Sequence, residues 1–320
     1  MGRIMATIRH FVRASRIMPR VPGAGRGSAP SARGGRKVVS QVSGALFRAF
    51  CVAVLVAFPA LLIPGIGPET AQVVTLLALA LALVIFTEYN SACPSLIEFR
   101  DAKPYNRLRV LLLFFIVMFL TILVRMELMP TGFGMLIDAL ARRLGEVMDF
   151  PYSPVRLLVS ALPAGLPVAH VAMVQAGAAL VYCIGLLAIV CFFAAMAVGY
   201  WPQRNASFNV WINLPTFDPT AGNDIVDRLW RDARINIALG VCLPFLLPIV
   251  LRASSLLIQP VTLESPLAFV WGIACWAFVP LSLIMRGVAM ARVARLIREK
   301  RREAAADDGA VPEAPNSAYS

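Results

Sequence analysis

Six stretches of this sequence contain no Asp, Glu, Lys or Arg, and most of them are long enough to cross a bilayer. They cover residues 49–68, 70–87, 110–124, 157–203, 235–251 and 265–285. A helix needs about 20 apolar residues to span the hydrocarbon core. Its backbone must satisfy its own hydrogen bonds there, as an α-helix does. The pattern therefore predicts an all-α, polytopic membrane helical bundle with about six transmembrane helices.

The composition also favours lipid over water as the main solvent. The chain is 59% apolar and 15% charged, whereas soluble domains have about 45–50% and about 25%. The net charge is +12, but the cations lie between apolar stretches rather than along one face. We therefore expect the lipid bilayer, and no nucleic acid, as a partner.

The fourth stretch is too long for one helix, and this decides the number of crossings. Pro163, Gly165 and Pro167 interrupt it, so residues 154–163 form a short piece that is either re-entrant or interfacial. A seventh crossing would translocate one of two strongly basic ends, which the positive-inside tendency opposes. The predicted spans are therefore six, at about residues 46–64, 70–87, 108–125, 171–199, 235–252 and 266–286.

The basic residues predict the orientation and the domains. Segments assigned to the cytoplasm hold 25 of the 30 Lys and Arg residues, so both termini are expected there, in a bacterial cytoplasmic (inner) membrane. The acid-free, Arg-rich start also resembles a mitochondrial presequence, which leaves the mitochondrial inner membrane as an alternative. Residues 1–43 read as a basic cytoplasmic arm with an amphipathic helix, 44–287 as the transmembrane domain, and 288–320 as a basic cytoplasmic helix and disordered tail. Arm and tail are expected to bind anionic lipid headgroups.

Two loops contain further amphipathic helices. In the outer loop, an apolar stripe consists of Phe133, Leu136, Ile137, Leu140, Leu144 and Val147. Charged residues on the opposite face predict the pairs Asp138–Arg142 and Arg142–Glu146. In the loop before the fifth span, the apolar face consists of Val226, Leu229, Trp230 and Ala233. There the spacing predicts the pairs Asp224–Arg228 and Asp227–Arg231.

Residues that carry known catalytic or cofactor chemistry are scarce. The chain has two histidines, His10 and His170, and six cysteines without a CxxC pair. A bis-histidine haem would need both histidines at membrane depth, and His10 lies in the basic arm. Motifs of nucleotide hydrolases, zinc proteases and serine hydrolases are absent from the sequence. We therefore predict no cofactor, no metal site and no catalytic residues, and we expect His170 to bond backbone or water.

Prolines are the main polar perturbation at membrane depth. Pro244, Pro248 and Pro280 lie within predicted spans. Each removes one backbone hydrogen bond and leaves a carbonyl without its donor. These carbonyls either line a cavity or are satisfied by neighbouring helices. The three prolines are the candidate intramembrane cavity.

The two long cytoplasmic loops contain the densest polar sequence. Together they predict a candidate cytoplasmic interaction patch that consists of Glu98, Arg100, Asp101, Trp211, Asp218, Asp224 and Asp227. Aromatic residues of the same loops would anchor a protein partner; these are Tyr89, Phe99, Tyr105, Trp211 and Phe217. A salt-bridged helix face is the alternative interpretation of the carboxylates.

Three functions fit these features. The preferred one is a non-enzymatic assembly, scaffold or accessory component of a membrane complex, with protein partners in the membrane, because the predicted spans carry almost no ionisable residue. The second is a transporter or channel for an uncharged or lipophilic solute, which rests on the proline-kinked spans. The third is a membrane lipid-modifying enzyme that uses the cytoplasmic carboxylates.

Overall fold

The computed structural model describes residues 32–91, 95–100, 103–198, 213–215, 217, 224–255 and 260–309, and most of these residues are helical, with no strands among them. The predicted amphipathic helix of the arm and the end of the tail lie outside these residues. The helices within them are α1 (Ala32–Leu62), α2 (Pro68–Asn90), α3 (Lys103–Leu128), α4 (Gly132–Val147), α5 (Pro154–Ser160), α6 (Val168–Ala197), α7 (Ile225–Ser254) and α8 (Pro266–Gly309).

Among the described residues, six helices are long and apolar enough to cross a membrane: α1, α2, α3, α6, α7 and α8. The prediction of an all-α membrane bundle is therefore confirmed. Three of the helices continue well past the predicted spans. Helix α1 begins at Ala32 rather than near residue 46, α7 begins at Ile225 rather than near 235, and α8 ends at Gly309 rather than near 286. Polar residues extend these helices because only the apolar part of a helix has to match the bilayer.

The most extensive pairing among the described helices joins α7 to α8, and two glycines make it close. A Cβ added to Gly240 would lie 2.6 Å from the carbonyl oxygen of Pro280, and one added to Gly287 would lie 2.6 Å from that of Ala233. The two backbones therefore touch where only glycine fits, as in many membrane helix pairs. Helix α8 has 44 residues and is about 66 Å long at 1.5 Å per residue, which is more than the thickness of a bilayer core.

Helix α4 packs on α3 and α6 through small residues and through only part of its predicted apolar stripe. Ile137 and Ala141 are buried, whereas most of the stripe is exposed, namely Phe133, Leu136, Leu140 and Val147. The predicted Asp138–Arg142 pair is confirmed at 2.8 Å. The predicted Arg142–Glu146 pair is wrong, because Glu146 binds Arg143 at 2.9 Å instead.

Helix α5 is a short helix at the end of the bundle where α6 begins. Ser153 caps it, since its hydroxyl accepts a hydrogen bond from the backbone N–H of Arg156. It packs against α6 and α7, and the Arg252 guanidinium of α7 donates to the carbonyl of Ser160 at 2.7 Å. The piece predicted at 154–163 is thus a capped helix held by two long helices.

Helices α1 and α2 lie at the edge of the bundle. A small apolar cluster of Leu55, Val56 and Ala78 joins them. Arg125 of α3 donates to the carbonyl of Leu62 at 3.1 Å, which ties the end of α1 to the bundle. Helix α2 buries only Ala78 and Glu88, so most of its surface is available to lipid or to another helix.

Candidate functional site at the basic end of the bundle

We call the basic end the end of the bundle where α2 and α6 end, α3 and α7 begin, and α8 continues past Arg286. Most of the described candidate residues lie here. Two short loop segments fold against these helix ends, residues 95–100 and residues 213–215 with Phe217. Their polar contacts determine what the basic end can do.

Glu88, in the last turn of α2, holds the first loop segment. Its carboxylate accepts hydrogen bonds from the backbone N–H groups of Ser95 at 3.0 Å and Leu96 at 2.9 Å. The Ser95 hydroxyl donates to the same carboxylate at 2.6 Å. Charge-assisted bonds of this kind are among the stronger ones in proteins. Glu88 is therefore engaged in fixing the loop.

Glu98 connects this loop to the last helix. Both of its carboxylate oxygens bind the guanidinium of Arg286, one of them at 2.7 Å. Arg286 also donates to the side-chain carbonyl of Asn236 at 2.9 Å, and Asn236 donates to the carbonyl of Asp232 at 2.7 Å. The Glu98 carboxylate side chain is only 12% exposed. The fork of arginine matches a carboxylate in this two-bond geometry, so the network joins the loop, α7 and α8.

Phe99 follows in a conformation that bulky residues rarely adopt. Its φ is +53°, a left-handed value that costs free energy for a side chain with a Cβ. The conformation is held by Asn106, whose amide donates to the carbonyls of Glu98 and Phe99 at 3.0 Å. The Phe99 ring packs 4.6 Å from the centroid of Tyr105.

Three of the five aromatic residues proposed as anchors are therefore part of the core. Phe99 and Tyr105 are fully buried, and Phe217 is nearly so. The prediction that these three anchor a partner is wrong, because Phe99 and Phe217 in the loops and Tyr105 in α3 all turn their side chains into the bundle. Tyr89 is half-buried, with the Arg48 guanidinium 4.6 Å from its ring centroid.

Asp224 begins α7 and also binds α8. Its carboxylate accepts from the backbone N–H of Val226 as an N-cap and from the Arg301 guanidinium at 2.8 Å. The hydrogen bond from Arg301 lowers the pKa of Asp224 below its usual range, against a smaller opposing effect of burial. The predicted Asp224–Arg228 pair is replaced by this contact, while Arg228 lies over the ring of Phe217 at 4.7 Å.

The structure does not bring Glu98 and Asp224 into contact. They bind α8 at Arg286 and Arg301, which are about four turns, or about 22 Å, apart along the helix. Arg100 donates to the carbonyl of Ser91 at 2.6 Å, and the side chain of Asp227 is exposed. Three members of the predicted patch lie outside the described residues: Asp101, Trp211 and Asp218. The single patch therefore stays a prediction.

Sequence reasoning missed the Glu98–Arg286 pair and the role of Asn236. The partners are 188 residues apart in the chain, and neither residue belongs to a local motif. One signal was available, since Arg286 ends the last charge-free stretch. An arginine at that position either reaches the headgroups or finds an acid inside the protein.

The carbonyl of Pro244 is satisfied by a neighbouring helix. Pro248 lacks the N–H that would bind the carbonyl of Pro244 in a regular helix. The indole N–H of Trp276 donates to that carbonyl at 3.2 Å in its place. Both prolines are buried in α7, whereas Cys242 of the same helix is exposed.

Two of the cavities in the described part of the bundle lie elsewhere. One, of about 170 Å³, lies between α5, α7 and α8 and is lined by residues that include Leu158, Leu251 and Trp276. The other, of about 430 Å³, lies between α6, α7 and α8. Neither is lined by Pro244, Pro248 or Pro280, so the cavity predicted from these prolines stays a prediction.

Metal-binding and histidine chemistry have little support in the part of the chain that is described. Among these residues, no group of three or more His, Cys, Asp or Glu side chains could hold a metal ion. His170, at the start of α6, lies 2.9 Å through Nε2 from the carbonyl oxygen of Thr262. This is the backbone bond that the sequence analysis expected of it.

No protein-family model, curated protein or solved structure matches this chain. Any proposal for its function therefore rests on the geometry of the bundle.

Proposed function

We propose that this chain is a non-enzymatic assembly, scaffold or accessory component of a larger complex in the bacterial cytoplasmic membrane, with both termini in the cytoplasm. The observation that carries the proposal is the weak packing of α2 within its own chain. In the most apolar 18-residue stretch of α2, only 6% of the residues are buried, compared with 22–50% in the same stretch of the other five membrane-length helices. A membrane helix gains stability by packing against other helices. Helix α2 obtains little of this from the described chain.

The exposed side of α2 has the form of a helix-packing ridge. Val73, Leu76, Ala80, Leu83 and Thr87 are all exposed and follow one another at spacings of three and four residues. This spacing places them along one face of the helix. Side chains in such a row interdigitate with those of a second helix. The ridge therefore suits a helical protein partner within the membrane.

The contacts at the basic end also support a role without catalysis. Glu88, Glu98 and Asp224 each hold backbone N–H groups or an arginine. Carboxylates in such contacts maintain structure rather than exchange protons with a substrate. The lipid-modifying alternative then depends on carboxylates such as Asp101 and Asp218. The transporter alternative loses part of its basis, because Trp276 satisfies the Pro244 carbonyl.

Site-specific photo-crosslinking in cells tests this proposal. A photoreactive phenylalanine analogue is placed at Leu76 or Leu83 on the ridge. The matched control positions are Leu187 and Val190 of α6, which are exposed to a similar degree. We expect a discrete protein adduct from the ridge positions and no such adduct from α6.

The partner in the adduct is then identified, tagged and used to co-purify this chain in mild detergent. Co-purification that is lost on Leu76→Ser with Leu83→Ser, but kept on Leu187→Ser with Val190→Ser, agrees with the proposal. Equal adducts from both helices would contradict it. An adduct to a second copy of this chain alone would also contradict an accessory role.

A further inference from the structure

The larger cavity is a groove where α6, α7 and α8 meet near the basic end. Its volume is about 430 Å³, within the range of small-molecule sites. Most of its lining is apolar and includes Phe193 and Met196 of α6 and Ile284 and Val288 of α8. The groove is separate from the network around Glu98. It combines an apolar floor with a strongly basic end.

The lining residues of α8 are ordered along the helix from apolar to basic. Ile284, Val288, Ala291 and Arg295 follow at spacings of four, three and four residues, so they share one face. The distance from the first to the last is about 16 Å along the axis. The apolar part adjoins the charge-free span, and Arg292 and Arg295 lie where the helix leaves it. A lipid at a membrane surface has the same order, with acyl chains inside and charge at the interface.

At the arginine-lined part of the groove, the described residues supply cations without carboxylate partners. Within the described residues, Arg292, Arg295 and Arg298 form no ion pair with a carboxylate. The guanidinium groups of Arg295 and Arg298 lie 5.5 and 5.9 Å from the ring centroid of Trp230. Trp230 thus holds the guanidinium groups of Arg295 and Arg298 close to each other, and an anion bound beside Trp230 would contact them.

Two buried donors in the same place have no acceptor within the described chain. They are Nε of Arg292 and Nε1 of Trp230, and both residues line the groove. A buried N–H without a partner costs about 1–3 kcal/mol. Such groups are rare in native proteins and indicate a missing acceptor. The oxygen atoms of a phosphate or an ester would supply it.

We propose that this groove binds one anionic phospholipid, with its phosphate at Arg292, Arg295 and Trp230 and an acyl chain along Phe193, Ile284 and Val288. Basic pockets between helix ends are suited to acidic lipid headgroups. A free phosphate would use the arginines but leave the apolar floor unoccupied. Phe193 is 48% exposed, so the floor is open to the surrounding lipid and the second chain can remain in the bilayer.

Native mass spectrometry of the full-length protein in mild detergent tests the site. The probes are phosphatidylglycerol and phosphatidylcholine with the same acyl chains. We expect one phosphatidylglycerol to be retained in preference to phosphatidylcholine. Arg292→Gln with Arg295→Gln should weaken its binding by at least about tenfold. Each substitution removes a positive charge that attracts the headgroup and N–H groups that donate to it.

Two further variants distinguish lipid binding in the groove from attraction by the overall positive charge of the protein. Arg231→Gln with Arg302→Gln removes the same charge from exposed positions outside the groove and should leave binding unchanged. Ala291→Phe keeps the arginines but fills the apolar floor, and it should also weaken phosphatidylglycerol binding. Circular dichroism and the melting temperature confirm that each variant is folded.

Equal loss from both arginine pairs would overturn the proposal in favour of a diffuse basic surface. Full binding by Ala291→Phe, together with displacement of the lipid by excess inorganic phosphate, would overturn it in favour of a simple anion site. Equal retention of both lipids would show that the headgroup charge is not recognised.

Discussion

At the residue scale, charged side chains of the basic end act as links between segments. Glu88 binds backbone groups of the following loop. Glu98 binds Arg286 in the last helix, and Asp224 binds Arg301 further along it. The contribution of such an ion pair to the free energy of unfolding depends on its exposure. A pair in water contributes about 0–1 kcal/mol, whereas removal of one partner from a buried pair costs several kcal/mol.

The first prediction concerns this difference. Arg286→Ala leaves the Glu98 carboxylate buried without its cation, and we expect the free energy of unfolding to fall by about 2–4 kcal/mol. Arg143→Ala is the control, since Arg143 and Glu146 are 81% and 66% exposed, and it should cost less than about 0.5 kcal/mol. Unfolding titrations in mixed micelles measure both.

A second variant tests the cause. Glu98→Gln added to Arg286→Ala removes the buried charge, so it should recover part of the lost stability. No recovery in the double variant would mean that packing of the arginine stem, rather than its charge, supports the loop.

At the element scale, the helices differ in how much they depend on one another. Helices α7 and α8 touch through Gly240 and Gly287, while α2 contributes little more than Ala78 to the apolar packing. The two prolines of α7 would weaken that helix in isolation. Its partner compensates, because Trp276 of α8 supplies a donor to the Pro244 carbonyl.

The second prediction tests this compensation. Trp276→Phe keeps an aromatic ring but removes the indole N–H, and we expect a loss of about 1–2 kcal/mol for the unsatisfied carbonyl. Pro248→Ala restores a backbone N–H that can donate to the same carbonyl. In the Pro248→Ala background, Trp276→Phe should therefore cost less than in the native chain.

The four proteins of this double-mutant cycle are compared by the same unfolding titration. Equal costs of Trp276→Phe in the two backgrounds would show that the indole contributes only by packing.

At the scale of the whole molecule, the proposed orientation determines which surfaces face which compartment. The six-helix bundle requires both ends of the membrane domain to lie on one side if every membrane-length helix crosses. The excess of arginine at the basic end favours the cytoplasm for that side. The proposed lipid groove would then face the anionic inner leaflet.

The third prediction concerns this topology. Fusions of alkaline phosphatase and of green fluorescent protein after residue 309 should be inactive and fluorescent, respectively, and amino-terminal fluorescent fusions should agree. The control is a reporter inserted in the loop between α5 and α6, at Gly165, which should give the opposite result. Termini in different compartments would contradict six crossings.

The sequence by itself determined the helical class and the number of membrane-length helices, because each charge-free stretch must satisfy its own backbone in lipid. Local rules also predicted the Asp138–Arg142 pair and the apolar face of Val226, Leu229, Trp230 and Ala233, of which all but Trp230 are buried. Only the tertiary structure decided which distant groups meet. The Glu98–Arg286 pair, the Trp276 donor and the inward turn of Phe99 depend on how separate helices pack. Such packing leaves no periodic signal in the chain, since it arises from the shapes and charges of residues far apart in sequence.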